Sequence, residues 1–222
     1  MKPSKSETTA SKILDSALAL FREQGFEAAT MRAIAERAGV ATGAAYYYYA
    51  SKDAIIMDFY QRSCDRMQED LSSALANVKN LEDGLRELIR VKLTYFAPNR
   101  DVLRALLRNG ADPKYPLSPF SADTKQVRDL DISWFDHIIR QSGVSVPRDL
   151  APRLPCMLWF FQMGVILFWV TDDSARQGRT EKLLPLACKV VASLVRFSTL
   201  PLMRPLRKPF LELIEIVVGG EL

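Results

Sequence analysis

Four consecutive tyrosines, Tyr46 to Tyr49, stand just ahead of Ser51, Lys52 and Asp53. Phenol groups and an ammonium in so short a stretch suit phosphate oxygens, base edges and thymine methyls better than bond-making chemistry. A serine or cysteine triad would have to use the single histidine, His137, and no G-x-S-x-G accompanies it. G-x-G-x-x-G, P-loop and H-E-x-x-H motifs are also missing. His137 reads as a structural residue, and Asp129, Asp131 and Asp136 as a solvated helix face. No enzymatic activity, cofactor or metal site is predicted.

To reach a groove, the tyrosines must stand on a short helix braced by another. Thr30 is a good N-cap for a helix over 31–38, in which Met31, Ile34, Ala35 and Ala38 recur at helical spacing as an inward stripe. Gly39 suits the positive-φ residue that ends it, and Val40 can plug the gap beyond. The next helix is predicted from Thr42 to Tyr49. With Ala45 and Tyr49 inward at i and i+4, the 100° step places Gly43 and Tyr47 outward, flanked by Ala44 and Tyr46. Small, then aromatic, that face lets a backbone approach a DNA groove. A strand or an interface patch is the alternative for a tyrosine run. No period-two alternation supports it, and Ser51-Lys52-Asp53 reopens a helix at once, whose N-terminus and Lys52 suit a phosphate.

Residues 9 to 60 resemble the DNA-binding domain of the tetracycline-repressor (TetR) family. The shared features are Gly25-Phe26 after a first amphipathic helix, Thr30 to Val40 as T-x-x-x-I-A-x-x-A-G-V, Gly43 to Tyr46 as G-x-x-Y, and Ser51 to Ile55 as S-K-x-x-[LI]. The resemblance implies that Thr30, Tyr46 and Lys52 hold the DNA backbone, and that Thr42, Gly43, Ala44 and Tyr47 lie towards the bases. This sequence departs from the pattern at Ala41 in place of a Ser cap, Ala45 in place of an inward Leu, and Tyr48-Tyr49 in place of His-Phe. Thr42 is then expected to cap, and Tyr49 to fill the space beside Ala45.

A chain of 222 residues with 48% hydrophobic content can bury a sizeable core. The net charge of +4 is unevenly placed: residues 1–60 carry 7 Lys/Arg against 7 Asp/Glu, and residues 176–208 carry 8 against 1. Charge alone therefore does not nominate the N-terminus for nucleic acid, and sparse contacts, including a Lys2, Lys5 and Lys12 arm, must serve there. Cys64, Cys156 and Cys188 are odd in number and widely spaced, which with no signal-peptide pattern predicts a cytoplasmic protein. The apolar run 157–170, interrupted by Gln162, is shorter than the roughly 20 residues that span a bilayer, so no membrane partner is predicted.

Residues 1–8 read as a disordered arm, followed by a bracing helix with Ile13, Leu14, Ala17, Leu18 and Phe21 on one stripe. Further helices are predicted after Ser51 to about Leu75, over 81–96, 99–108 and 121–142, from about Pro152 or Pro155 to 172, and over 181–198 with Thr180 as cap. Residues 111–120 read as a loop. Past Pro201 the pattern predicts a basic, proline-broken linker and a short apolar segment that packs on a dimer. The two apolar helices at 149–172 and 181–198 would be covered by the same pair of a second copy, a four-helix interface that the resemblance also implies. Tyr95, Phe96, Trp134, His137, Trp159 and Phe160 are the candidate lining of an effector pocket.

The sequence therefore predicts an all-α chain. Residues 1–55 form a three-helix helix-turn-helix DNA-binding domain, and residues 56–222 a helical effector-binding and dimerisation domain. The reading is a ligand-responsive repressor that binds a palindromic double-stranded DNA operator as a homodimer and releases it to an apolar or aromatic small molecule. The rival is a helical ligand-binding or interaction module that no longer reads DNA, suggested by the neutral N-terminal part and the tyrosine run.

Overall fold

The computed structural model describes residues 5–108, 110 and 112–218. These form helices α1 (Lys5–Gln24), α2 (Met31–Ala38), α3 (Thr42–Tyr48), α4 (Lys52–Leu75), α5 (Leu81–Phe96), α6 (Arg100–Leu107), α7 (Lys125–Gln141), α8 (Leu154–Thr171), α9 (Gly178–Phe197) and α10 (Arg204–Val218), with no strand among the described residues. Two compact units result: Met1–Asp65 with Pro98–Thr124, and Arg66–Ala97 with Lys125–Leu222. The expected boundary at 55/56 falls inside α4, which gives residues to both units, and residues 98–124 group with the N-terminal part.

In the first unit α1 buries Ile13, Leu14, Ala17, Leu18 and Phe21, the predicted stripe. It begins at Lys5, so residues 5–8 are helical and not part of a disordered arm. The rest of that arm, and the Lys5 side chain, lie outside the described residues. Gly25 at φ 87 turns the chain, and Phe26 folds back edge-on to Phe21 with ring centroids 5.0 Å apart. The predicted loop before α7 is a tight knot. The Ser118 hydroxyl donates to the Gly110 carbonyl at 2.6 Å, that of Ser121 to Pro116 at 2.8 Å, and that of Thr124 to Ser118 at 2.7 Å. These bonds hold residues 121–124 out of the helix, so α7 starts at Lys125 rather than 121.

In the second unit α5 packs on α7, α8 and α9, and α8 on α7 and α9. Gly84 marks a close approach of α5 and α7, because a Cβ there would lie 3.2 Å from Ile138 Cβ. Lys92 is buried at 3% exposure on the apolar face of α5. Its ammonium pairs with Asp131 of α7 and donates to Gln162 Oε1 of α8 at 2.7 Å, while Gln162 Nε2 donates to Asp131 at 2.7 Å. Asp131 is therefore part of a closed polar ring and not on a solvated face. By length and composition α8 could cross a membrane. Here its buried face and Gln162 give it the setting of a core helix.

Two predicted details of the C-terminal half are corrected. Thr180 does not cap the helix after it: α9 already begins at Gly178, and the Thr180 N–H and hydroxyl donate to Asp172 Oδ2 at 2.8 and 2.7 Å. Nor do the prolines break the tail. Arg204 to Val218 is one helix, with Pro205 in its first turn, where no N–H is needed, and Pro209 forgoing a single bond. Of the tail's apolar positions, the side chains of Phe210, Ile214, Val217 and Val218 lie outside the described residues.

Candidate nucleic-acid interface

Local chemistry dictates the α2–α3 corner. Thr30 sits in extended backbone at φ −114 and ψ 152, and its Oγ1 accepts the Ala33 N–H at 3.2 Å. Met31, Ile34 and Ala35 go into the core, while Ala38 is only partly covered. Gly39 takes φ 67, a region costly for other residues, and Val40 N–H closes the turn on the Ala35 carbonyl at 3.0 Å. Arg37 reaches back to Glu23 with a two-pronged pair at 2.5 and 2.6 Å, tying the end of α2 to the end of α1. That contact holds the Glu23 carboxyl below its ordinary pKa.

On α3 the expected division of faces is present. Ala45 is fully buried and Tyr49 is 6% exposed, whereas Tyr46 and Tyr47 are 52% and 83% exposed. Thr42 and Gly43 are also exposed, and Ala44 is half-buried. Thr42 is the first helical residue and not the cap. Ala41 holds the cap position in extended backbone, where its methyl can make no side-chain bond and only its carbonyl accepts, from Ala44 and Ala45 N–H at 2.9 and 3.1 Å. Gly43 needs no special conformation, and a Cβ there meets nothing within 4 Å. The chain's own packing thus gives no reason for glycine at the centre of the exposed face.

Tyr49 locks the corner. Its hydroxyl donates to Asp58 Oδ2 at 2.5 Å and lies 3.2 Å from the Ala10 carbonyl, and Arg62 braces Asp58 at 2.9 Å. Burial, then the Asp58 contact, pushes the phenol pKa well up, so it stays a donor. Sequence reasoning missed Asp58, although its i,i+4 spacing to Arg62 marked the pair.

Lys52 is placed differently from its predicted role. Its Nζ donates to the Phe26 and Glu27 carbonyls at 2.7 and 3.2 Å and lies 4.6 Å from the centre of the Phe26 ring. The carbonyl-rich turn after α1 and the aromatic face attract the ammonium and draw it off the surface. Lys52 thus fastens α4 to the α1–α2 corner and does not stand free at its helix end.

A model of bacterial regulatory proteins of the tetR family matches residues 13–57, and a model of the tetracyclin repressor-like C-terminal domain matches residues 84–208. The chain belongs to the tetR family. Among relatives of this tetR-family chain, the HTH-type transcriptional repressor KstR of Mycobacterium tuberculosis is 39% identical over 176 residues, 78% of this chain and 76% of KstR. The uncharacterised HTH-type transcriptional regulator YxbF of Bacillus subtilis is 21% identical over 170 residues, and the chain spans only 41% of its length. The crystal structure of Thermus thermophilus FadR, a TetR-family transcriptional repressor in complex with lauroyl-CoA, superposes with a TM-score of 0.62 at 22% identity, over 86% of this chain and 95% of that one. Proteins of this family are DNA-binding transcriptional regulators and not enzymes.

The six predicted effector-pocket residues include three local ring pairs. Tyr95 and Phe96 meet at 5.5 Å between ring centroids, Trp134 and His137 at 6.0 Å, and Trp159 and Phe160 at 5.1 Å. His137 is exposed and Trp159 is buried at 2% exposure. None of the six lines the two apolar hollows described on α8 and α9. One, of about 520 Å³, has Leu154, Leu158, Phe161 and Val195 in its wall, and the other, of about 670 Å³, has Phe168, Leu183, Leu186 and Val190.

Proposed function

We propose that the chain is a ligand-responsive transcriptional repressor that binds a palindromic operator as a homodimer. The observation that carries this reading is the outward face of α3, where Thr42, Gly43, Tyr46 and Tyr47 are exposed around a glycine that nothing inside the chain requires. Gly43 and Ala44 let the helix backbone approach the major groove, Tyr47 and Thr42 reach base edges, and Tyr46 and the free proton of the Thr30 hydroxyl contact phosphate. Lys52 acts by holding the start of α4 in place.

The dimer reading is supported by Leu186, Val190, Leu194 and Phe197, which stand 55% to 64% exposed along one stripe of α9, with Leu167 of α8 at 53%. Such a patch calls for a cover, and a two-fold copy of the same pair supplies it. An effector that prefers one spacing of the two reading helices shifts the population away from the DNA-fitting state. The apolar walls of the second unit, and the lauroyl-CoA bound by FadR of Thermus thermophilus, support an apolar effector.

Sedimentation and a salt-dependent gel shift on the DNA upstream of its own gene test this reading together. Val190→Asp, which would bury an unpaired charge in the interface, should yield a folded monomer and abolish the shift. A parent chain that is monomeric, or that retards no DNA at low salt, would leave the rival module that does not read DNA.

A further inference from the structure

The tail forms one wall of a hollow. Met203, Leu206 and Leu211, on α10 and the turn before it, face Leu158 and Phe161 of α8 and Val195 of α9 across the cavity of about 520 Å³, which lies within the range of small-molecule sites. Only Ser198 and Arg207 among its lining residues have polar side chains. Arg207 Nη1 donates to the Ser198 carbonyl at 3.0 Å, and its Nε lies 3.2 Å from Asp149. The same arginine lines an adjoining cleft of about 390 Å³ whose other walls include Arg148, Asp149, Thr199 and Arg204. Arg148, Arg204 and Arg207 thus line a cleft with one carboxylate, Asp149, which pairs with Arg207. Arg148 and Arg204 are exposed, and neither has an ion-pair partner among the described residues.

We propose that cavity and cleft are one bipartite site for an anionic amphiphile, with its apolar body between α8, α9 and α10 and its carboxylate or phosphate head on Arg148 and Arg204. An apolar hollow alone would take any oily molecule. The arginine cleft at its end selects one that carries negative charge, which a guanidinium fork binds in two-pronged fashion. The site rests on the reading that the second unit takes an effector, and it places that effector away from the aromatic pairs. It also uses Leu194, which lines the cavity and stands 58% exposed on the proposed dimer stripe. A bound ligand there would act directly on the packing of α9 against a second copy.

Isothermal titration of the dimer of the 222-residue chain with laurate, dodecyl phosphate and dodecanol, below their micelle concentrations, tests the site. One anion per chain should bind. Arg148→Glu with Arg204→Glu should raise the Kd for the two anions at least tenfold and leave dodecanol unchanged. Met157→Trp, which fills the cavity from α8, and Leu206→Asp, which charges an already exposed lid position, should each weaken all three. Laurate favoured over dodecyl phosphate would mark a fatty-acid-like ligand, and the reverse a phosphate ester. Anion binding unchanged by the arginine substitutions, binding undiminished in both cavity variants, or a dimer that binds no anion would each overturn the assignment. Operator binding measured on the same proteins separates the two readings, since DNA retention without anion binding removes this site and leaves the repressor.

Discussion

At the scale of residues, Gly43 is where the proposed reading helix departs from an ordinary one. Alanine is a better helix former by about 0.8–1.0 kcal/mol, and the space around Gly43 is open, so Gly43→Ala should leave the chain as stable or slightly more so. Its Cβ would stand between α3 and a groove, and operator affinity should fall at least tenfold. Thermal melts and gel shifts on the same preparation check both halves. Lys52→Ala should behave in the opposite way. Removing the ammonium from the Phe26 and Glu27 carbonyls should lower the melting temperature and weaken every DNA sequence alike, while the slope of affinity against salt stays the same. A true phosphate contact would instead reduce that slope by about one. Both faces of α3 were legible because Ala45 and Tyr49 stand four apart in the sequence. The direction of the Lys52 side chain was not, because its partners are two backbone carbonyls 25 and 26 residues earlier.

At the scale of elements, helices were legible from apolar spacing, and their ends only where a glycine or a threonine acts locally. Gly25 and Gly39 end α1 and α2 at positive φ, and Thr30 caps α2, all by contacts within a few residues. The start of α9 depends instead on Asp172, eight residues before Thr180, so a threonine with the look of a cap proved to be a donor. The α10 prolines misled for a related reason: Pro205 sits in the first turn, where a missing N–H costs little, and α10 runs on through Pro209 at the loss of one bond. Asp131 was misplaced because its partners, Lys92 and Gln162, come from other helices. Asp172 also gives a pH signature. Hydrogen bonds from Ser174, then from Thr180, hold its carboxyl well below the usual carboxylate range against the opposing effect of burial. The unfolded chain therefore binds this proton first, and the stability it contributes is whole above about pH 4 and is lost as pH falls further. Asp172→Asn should lower stability at pH 7 and flatten the acid limb of a denaturation series below pH 4. An acid limb as steep as the parent's would show that Asp172 does not govern it.

At the scale of the whole molecule, the chain carries an outward face on α3 and an uncovered apolar stripe on α9, and the proposed two-fold assembly puts both to use. A single α3 of seven residues offers few base contacts, and residues 1–60 carry no net charge to add affinity. Doubling it adds contacts without a new surface, at the cost of a fixed spacing. Selection of bound DNA from a random pool by the parent protein tests this most directly. The account predicts enriched sequences with two inverted half-sites whose centres lie about one helical turn, or a small multiple of it, apart. It also predicts that Tyr47→Ala shifts the preferred bases within each half-site, at about 1–3 kcal/mol per affected pair. A pool that shows no enrichment, or that enriches lone half-sites unchanged by Tyr47→Ala, would contradict it.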